Sequence, residues 1–195
     1  MIDQSVIRKK IQAQRAALDK HQQRMFSLEI CQSLVQSQCL SKDSHIAIYL
    51  PVRGEADPGF LAKSADLSSA TFYLPVLSAT KKNHLEFALY NKDTPMKLNR
   101  FNIPEPDASK AHLIEDVREL DTVIMPMVAI DRMGNRIGMG GGFYDRTFEY
   151  RKSEKRSPKL VAFAYDFQLI NIQQPQDWDV PADYVALQQN FFRAE

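Results

Sequence analysis

A cluster of glycines between an apolar segment and a helix-like segment constrains this chain more than any other feature. Four of its seven glycines fall within five positions: Gly138, Gly140, Gly141 and Gly142. Glycine adopts backbone angles that other residues avoid, and it lets backbone N–H groups approach a ligand with no Cβ in the way. The apolar run 123–130 precedes the cluster, and a helical pattern begins near Phe143. The sequence therefore predicts a tight strand-to-helix turn.

Charged side chains flank this turn. Arg136 and Arg146 carry cations that suit phosphate oxygens. Asp145 offers a hard oxygen ligand for a magnesium ion. The helix that follows would add unpaired N–H donors and a positive dipole end. The segment 135–146 therefore indicates a site for nucleotide phosphates and a metal ion, and a turn that serves only close packing is the alternative.

Two well-known phosphate-binding motifs do not fit the glycine turn. No Gly-Lys-Ser or Gly-Lys-Thr sequence follows the glycines, so the segment is not a Walker loop. In a dinucleotide-binding fingerprint that starts at Gly138 and Gly140, the third glycine would fall on Phe143. If the turn binds phosphate, it does so with a different arrangement of glycines.

Composition narrows the class of protein. The 195 residues, of which 44% are hydrophobic, predict one domain that spans 1–195. A formal net charge of +1 gives no global field for nucleic acid, so anion binding must be local. The sequence shows neither an apolar run of the roughly 20 residues that span a membrane nor a signal-peptide core. We therefore expect a cytoplasmic monomer that binds neither nucleic acid nor a membrane.

Hydrophobic periodicity predicts alternating helices and strands. We expect helices over about 6–18, 21–38 and 143–152 and from Pro58, a loop at 99–109, and strands at 45–50, 71–77, 85–90, 123–130, 160–165 and 184–187. Pro126 should mark an edge or a bulge of its strand. Because the strands are apolar throughout, they favour an α/β fold: a mainly parallel, three-layer open sheet flanked by helices on both faces. The glycine turn would then lie at the carboxyl ends of the strands, where ligands bind.

A series of short motifs resembles one known family. In chain order they are YLPVRGE at 49–55, IPEP at 103–106, MPMVAID at 125–131, NRIG at 135–138, GFYDR at 142–146 and WDVPAD at 178–183. Together with a basic N-terminal helix, this set resembles the 5-formyltetrahydrofolate cyclo-ligase family over nearly the whole chain. The glycine turn with its Tyr-Asp ending is the most specific element. The resemblance implies the NagB/RpiA/CoA transferase-like fold.

The resemblance also implies a reaction. The formyl oxygen of 5-formyltetrahydrofolate would attack the γ-phosphate of ATP, which gives ADP and a phosphorylated intermediate. The neighbouring folate nitrogen would then attack the activated carbon, and loss of phosphate would leave 5,10-methenyltetrahydrofolate. Such chemistry needs the positioning of two substrates and the neutralisation of phosphate charge, with Mg2+ as the cofactor.

Family roles carry over to individual positions of this chain. The ATP-binding residues would be Arg8, Arg136, Ile137, Gly138, Met139, Gly140, Gly141, Gly142, Phe143 and Tyr144. The folate-binding residues would be Leu50, Glu55 and Tyr144, the catalytic residues Arg136 and Tyr144, and the metal ligands Asp145 and Asp179. One position departs from the family: Gln4 stands where a lysine often precedes the arginine matched by Arg8. Lys9 and Lys10 are the candidates to supply the missing charge.

Two other functions remain open at this point. A sugar-phosphate isomerase or a CoA-transferase-like enzyme could use a similar scaffold, because one fold hosts many functions. Such an enzyme needs a basic carboxylate or lysine at a strand end, and no candidate is better than Glu55. A non-catalytic regulator that binds nucleotide or folate is the second alternative, and it would bind ATP without releasing ADP.

Overall fold

The computed structural model describes residues 3–154, 158–172 and 175–195. Its α-helices are α1 (Gln4–Ala17), α2 (Lys20–Gln36) and α3 (Phe143–Thr147). Its strands are β1 (His45–Ala47), β2 (Thr71–Leu77), β3 (Leu85–Leu89), β4 (Met96–Leu98), β5 (Pro104–Pro106), β6 (Thr122–Met125), β7 (Ala129–Ile130), β8 (Arg136–Ile137), β9 (Lys159–Phe163), β10 (Tyr184–Ala186) and β11 (Phe191–Arg193). Short 3-10 helices lie at Pro58–Lys63, Ala65–Leu67, Val117–Glu119, Glu149–Lys152 and Asp166–Gln168.

Side-chain caps set the starts of the two long helices. The carboxylate of Asp3 accepts a hydrogen bond from the N–H of Ser5 at 2.9 Å and so begins α1. Asp19 begins α2 with a reciprocal capping box that it forms with Gln22. Each cap satisfies an N–H that the helix itself leaves unpaired. These contacts explain why two helices form here, as the sequence predicted.

Seven strands form the main sheet, in the order β11-β10-β9-β6-β1-β2-β3. The five inner strands, from β10 to β2, are mutually parallel, and β3 and β11 pair antiparallel at the two edges. This confirms the predicted mainly parallel α/β sheet. After β1 the chain first adds β2 on one side and later adds β6 on the other. Such a reversal of strand order opens a crevice at the carboxyl ends of the strands.

Both faces of the sheet are covered. On one face, α2 and the 3-10 helix Pro58–Lys63 pack against alternate strand residues such as Ile46 and Ile124. On the other face, the segment from α3 to Tyr150 packs against the intervening residues, such as Val123 and Ala162. Because each central strand buries both of its faces, its sequence is continuously apolar. Within the described part of the chain, the structure contains no helix with the length and apolarity to cross a membrane.

The prediction of one continuous strand over 123–130 is wrong. The segment divides into β6, which ends at Met125, and β7, which pairs antiparallel with β8 in a separate ribbon. Pro126 stands at the break, since it has no N–H for a ladder and a fixed φ angle. The proline therefore ends the central strand and turns the chain out of the sheet. This turn directs the ribbon and the glycines that follow it toward the crevice.

Three smaller predictions also need correction. The segment 99–109, expected to be a loop, contains β5, which pairs antiparallel with β4. The helix expected from Pro58 is a 3-10 helix of six residues, and the helix expected over 143–152 changes to 3-10 geometry after Thr147. The edge strand β11 was not predicted. Two-residue and three-residue strands leave almost no alternation in sequence, so pattern alone does not find them.

Candidate active site

A cavity of about 580 Å³ lies in the crevice at the carboxyl ends of the parallel strands. Segments that follow β1 and β6 form one side, and the end of β2 and the β4–β5 hairpin form another. The glycine turn forms the remaining wall, from Gly138 to Asp145. The strands themselves thus bring four distant parts of the sequence to one site.

The glycine turn uses its glycines for both geometry and access. Gly140 and Gly142 have φ angles of 95° and 63°, in the left-handed region that favours glycine. A Cβ placed on Gly138 or Gly140 would meet no heavy atom within 4 Å, so both positions face open space. Arg146 folds back and donates to the carbonyl of Gly141 at 2.7 Å. Arg146 is therefore bonded to the turn itself, and it is not part of the cavity wall.

Arg136 and Asp145 form a short ion pair beside the turn. The Nη2 of Arg136 lies 2.6 Å from Oδ1 of Asp145, and the two side chains are 5% and 21% exposed. The Nη1 of Arg136 donates to the carbonyl of Val180, and the N–H of Val180 donates to Oδ1 of Asp145 at 3.1 Å. Both charged residues line the cavity. The pair ties the glycine turn to the WDVPAD segment and holds a cation and an anion at one wall.

Asp179, the second predicted metal ligand, precedes Val180, the residue that is hydrogen-bonded to both Arg136 and Asp145. Its Oδ2 accepts the N–H of Gln176 at 3.0 Å, and its neighbour Val180 is bonded to Asp145. Asp145 belongs to the cavity wall and Asp179 does not. Residues 3–154, 158–172 and 175–195 contain no cluster of three or more His, Cys, Asp or Glu side chains that could hold a metal. A pair of carboxylates would suit Mg2+, which takes few protein ligands and keeps several waters.

Helix α1 reaches the glycine turn through Arg8. The Nε of Arg8 donates to the carbonyl of Gly138 at 2.8 Å, across 130 positions of sequence. Its Nη2 donates to the side-chain oxygen of Gln4 at 2.9 Å. Gln4 therefore orients Arg8. Lys9 and Lys10 are both exposed to solvent.

Glu55 lies in the cavity wall and is held by a buried arginine. Its Oε1 accepts a hydrogen bond from Nη1 of Arg15 at 3.3 Å, and its Oε2 accepts the N–H of Val52 at 3.1 Å. The Arg15 side chain is 0% exposed and that of Glu55 is 8% exposed. Burial raises the pKa of Glu55, and the bonds from Val52 and Arg15 oppose this rise.

Tyr144 completes the polar side of the cavity. Its ring stacks on Phe148, with 6.4 Å between the ring centroids. Burial raises the pKa of its hydroxyl well above the ordinary value of 10.0, the negative charge of Glu55 adds to the rise, and Arg136 opposes it. Tyr144 therefore keeps its proton at neutral pH. A neutral phenol near a carboxylate and a guanidinium can donate a hydrogen bond to a substrate oxygen.

Most of the predicted site residues line this one cavity: Leu50, Glu55, Arg136, Gly138, Met139, Gly141, Gly142, Phe143, Tyr144 and Asp145. The side chain of Ile137 instead packs in a core cluster with Ile11. Two cavity-related side chains were not predicted. Glu105 lies in the IPEP motif, to which no role was given. Arg15 follows Arg8 by seven residues, so the two-turn spacing along α1 was the available signal.

This geometry defines a class: an open-sheet α/β protein with a small-molecule cavity at the carboxyl ends of its parallel strands. The family model described as the 5-formyltetrahydrofolate cyclo-ligase family matches residues 1–188. The chain belongs to the 5-formyltetrahydrofolate cyclo-ligase family, whose members are ligases.

Individual relatives agree with this assignment. The 5-formyltetrahydrofolate cyclo-ligase of Haemophilus influenzae is 36% identical over 173 residues, which are 89% of each chain. That of Escherichia coli K12 is 32% identical over 171 residues, 88% of this chain and 92% of the relative. The NMR structure of 5,10-methenyltetrahydrofolate synthetase from Aquifex aeolicus superposes with a TM-score of 0.80 at 26% identity, covering 98% of this chain and 92% of the other.

Proposed function

We propose that this chain couples ATP hydrolysis to ring closure: it converts 5-formyltetrahydrofolate to 5,10-methenyltetrahydrofolate and releases ADP and phosphate. Membership of the cyclo-ligase family supports the reaction. The observation that carries the proposal is a single cavity with the glycine turn on one wall and Glu55 on another. Two substrates can therefore meet there. The wall formed by the glycine turn suits phosphate contacts, and the wall with Glu55 suits contacts with a polar ring.

The proposed mechanism relies on positioning. The formyl oxygen attacks the γ-phosphorus of ATP, the bond to ADP breaks, and a phosphorylated intermediate forms. The second folate nitrogen then attacks the activated carbon and loses its proton, while the C–O bond to phosphate breaks. Backbone N–H groups of the glycine turn and Arg136 would hold the phosphates, with Arg8 steadying the turn. Leu50, Glu55 and Tyr144 would hold the folate. Bringing the two substrates into line supplies much of the rate, because little covalent help is needed.

We further propose Mg2+ as the cofactor, with Asp145 and Asp179 as its protein ligands. The two residues come from segments joined by the hydrogen bond between Val180 and Asp145. When bound, the ion would neutralise charge on the phosphate oxygens during transfer. The Asp145 carboxylate would also keep Arg136 in place through their ion pair.

The sequence leads us to propose, in addition, a cytoplasmic monomer with no nucleic-acid or membrane partner. Light scattering of the purified protein tests whether it is a monomer.

Purified protein mixed with ATP, Mg2+ and 5-formyltetrahydrofolate is expected to form methenyltetrahydrofolate and ADP in equal amounts. The absorbance of the methenyl product and a coupled ADP assay measure the two products separately. Omission of any one of the three components should stop both. A regulator that only binds nucleotide or folate would give neither product, and an isomerase or CoA transferase would act without ATP. Either result would reject the proposal.

The glycine turn gives a second expected result. Gly138→Ala should raise the Kd for ATP by about tenfold or more, equivalent to about 1.4 kcal/mol. The new methyl group meets no protein atom within 4 Å and requires no left-handed backbone, so the fold should accept it and the lost affinity should come from its contact with the ligand. Calorimetric titration with ATP measures the effect.

Gly134→Ala is the matched control for Gly138→Ala. There a Cβ would come within 2.3 Å of the carbonyl oxygen of Ala182, so the variant should lose stability. Gly134 is not part of the cavity wall, so ATP affinity should persist in whatever fraction folds. Unchanged ATP affinity in Gly138→Ala would show that phosphates bind elsewhere. Gly140→Val should also lower the affinity, although its φ angle of 95° adds backbone strain.

A further inference from the structure

We propose that Glu105 recognises the pterin ring of the folate, by accepting hydrogen bonds from the ring edge that carries the 2-amino and N3–H groups. The inference rests on the proposed function, since it names a contact within the same cavity. Glu105 lies in the middle of β5, between Pro104 and Pro106. Its residue is 6% exposed, and it lines the cavity together with Glu55.

The hydrogen bonds of Glu105 leave one carboxylate oxygen for a ligand. Oε2 accepts the N–H of Leu77 at 3.0 Å and the side-chain amide of Asn99 at 3.2 Å. These two bonds fix the carboxylate between the end of β2 and the β4–β5 hairpin. Oε1 accepts no hydrogen bond from any residue that the structure describes, although a carboxylate oxygen has room for two. The free oxygen thus belongs to a fixed group in the cavity wall.

The charge of Glu105 has no protein counterpart. No Lys, Arg or His in the described ranges comes within 4.0 Å of its carboxylate, whereas Glu55 pairs with Arg15 at 3.3 Å. A buried carboxylate without a cation is costly unless strong donors surround it. Leu77 and Asn99 supply two donors. A ligand that brings N–H groups to Oε1 would complete the set.

The surroundings suit a flat ring with a donor edge. Leu74, Leu77 and Ile103 add apolar side chains to the cavity that Glu105 lines. At its rim, Phe101 and Phe143 meet edge to face, with 5.8 Å between the ring centroids. A reduced pterin has an extended face for such walls and places its 2-amino and N3–H donors on one edge. The triphosphate of ATP does not suit this wall, because a carboxylate repels phosphate oxygens.

Two substitutions at Glu105 test the assignment. Glu105→Gln must keep its oxygen on the donors of Leu77 and Asn99, so its amide NH2 group would face the donor edge of the pterin. Both Glu105→Gln and Glu105→Ala should raise the Kd for 5-formyltetrahydrofolate about ten- to a hundredfold, the range for a hydrogen bond to a charged group. The Kd for ATP should stay within about twofold of wild type, since the glycine turn is untouched. Titration of each ligand measures both constants.

A folate analogue with the 2-amino group replaced by methyl separates recognition from general damage. Wild-type protein should prefer 5-formyltetrahydrofolate to this analogue, and Glu105→Gln should lose that preference. Glu86→Gln is the control, because Glu86 accepts a hydrogen bond from the Ser78 hydroxyl at 2.7 Å and is not part of the cavity wall, so this variant should keep the wild-type preference. If Glu105→Gln keeps the wild-type preference, the inference is overturned. Absence of methenyl product from the wild-type protein would instead overturn the proposed function, so the two failures are distinct.

Discussion

Asp145→Asn is expected to lower kcat/KM for ring closure by about two to three orders of magnitude, or about 3–4 kcal/mol of transition-state stabilisation. Asparagine keeps the side-chain oxygen that accepts from Arg136 at 2.6 Å and from Val180 at 3.1 Å. The fold should therefore persist, and the loss should come from the missing negative charge at the phosphate site. Steady-state rates over a range of Mg2+ concentrations measure it, and half-saturation by Mg2+ should shift upward.

Asp183→Asn is a matched control for Asp145→Asn. Asp183 also pairs with an arginine, Arg151 at 2.8 Å, and also accepts a backbone N–H, from Leu160 at 2.7 Å. It is not part of the cavity wall. This variant should lose some stability and keep the wild-type kcat/KM. If Asp145→Asn matches it in activity and in Mg2+ dependence, the carboxylate of Asp145 does not bind the metal.

The central sheet was predictable because strands that are buried on both faces have continuous apolar sequences. The apolar run at 71–77 predicted the bounds of β2, and the run at 160–165 predicted those of β9 to within two residues. The ribbon of β7 and β8 was not predictable in this way, since its strands have two residues each. Its existence depends on tertiary contacts, such as the hydrogen bond from Ile170 to Ile130, that no local pattern records.

The candidate site shows the same division. The stretch 136–145 is continuous in sequence, so the pattern of its glycines, arginine and aspartate was enough to predict a phosphate site. Glu105 enters the cavity only because β5 pairs with β4 and its side chain bonds to Leu77 of β2. Arg15 meets Glu55 across 40 positions, through the packing of α1 against the loop after β1. Such contacts depend on side-chain direction in the assembled fold, which periodicity does not give.

Arg15→Met is expected to destabilise the folded protein by about 3–5 kcal/mol at neutral pH. The substitution keeps a long apolar stem and removes the cation that faces Glu55 at 3.3 Å. Among the described residues, the N–H of Val52 would then be the one hydrogen-bond donor left to the buried carboxylate of Glu55. Urea unfolding at fixed protein concentration measures the change. Arg118→Met is the comparison, since the Arg118 side chain is 43% exposed in its ion pairs and should contribute at most about 1 kcal/mol.

The penalty of Arg15→Met should shrink in acid. Burial already raises the pKa of Glu55 above its ordinary value of 4.5, and loss of Arg15 removes a charge that lowers it. A carboxyl group with a raised pKa binds more protons in the folded state than in the unfolded state, so stability falls as pH rises through the interval above 4.5. Unfolding measured in steps from pH 4.5 to pH 8 should therefore show a growing difference between the variant and the wild type.

The double variant Arg15→Met/Glu55→Gln decides whether the pair itself is the cause. It removes both charges, together with Nε and Nη2 of Arg15, which have no hydrogen-bond partner among the described residues. Replacing a buried ion pair by neutral groups is often neutral or stabilising. The double variant should thus recover most of the stability lost in Arg15→Met, and its stability should lose the added pH dependence. If the double variant is as unstable as Arg15→Met at every pH, the loss comes from packing around the arginine stem, and Arg15 does not act by compensating the charge of Glu55.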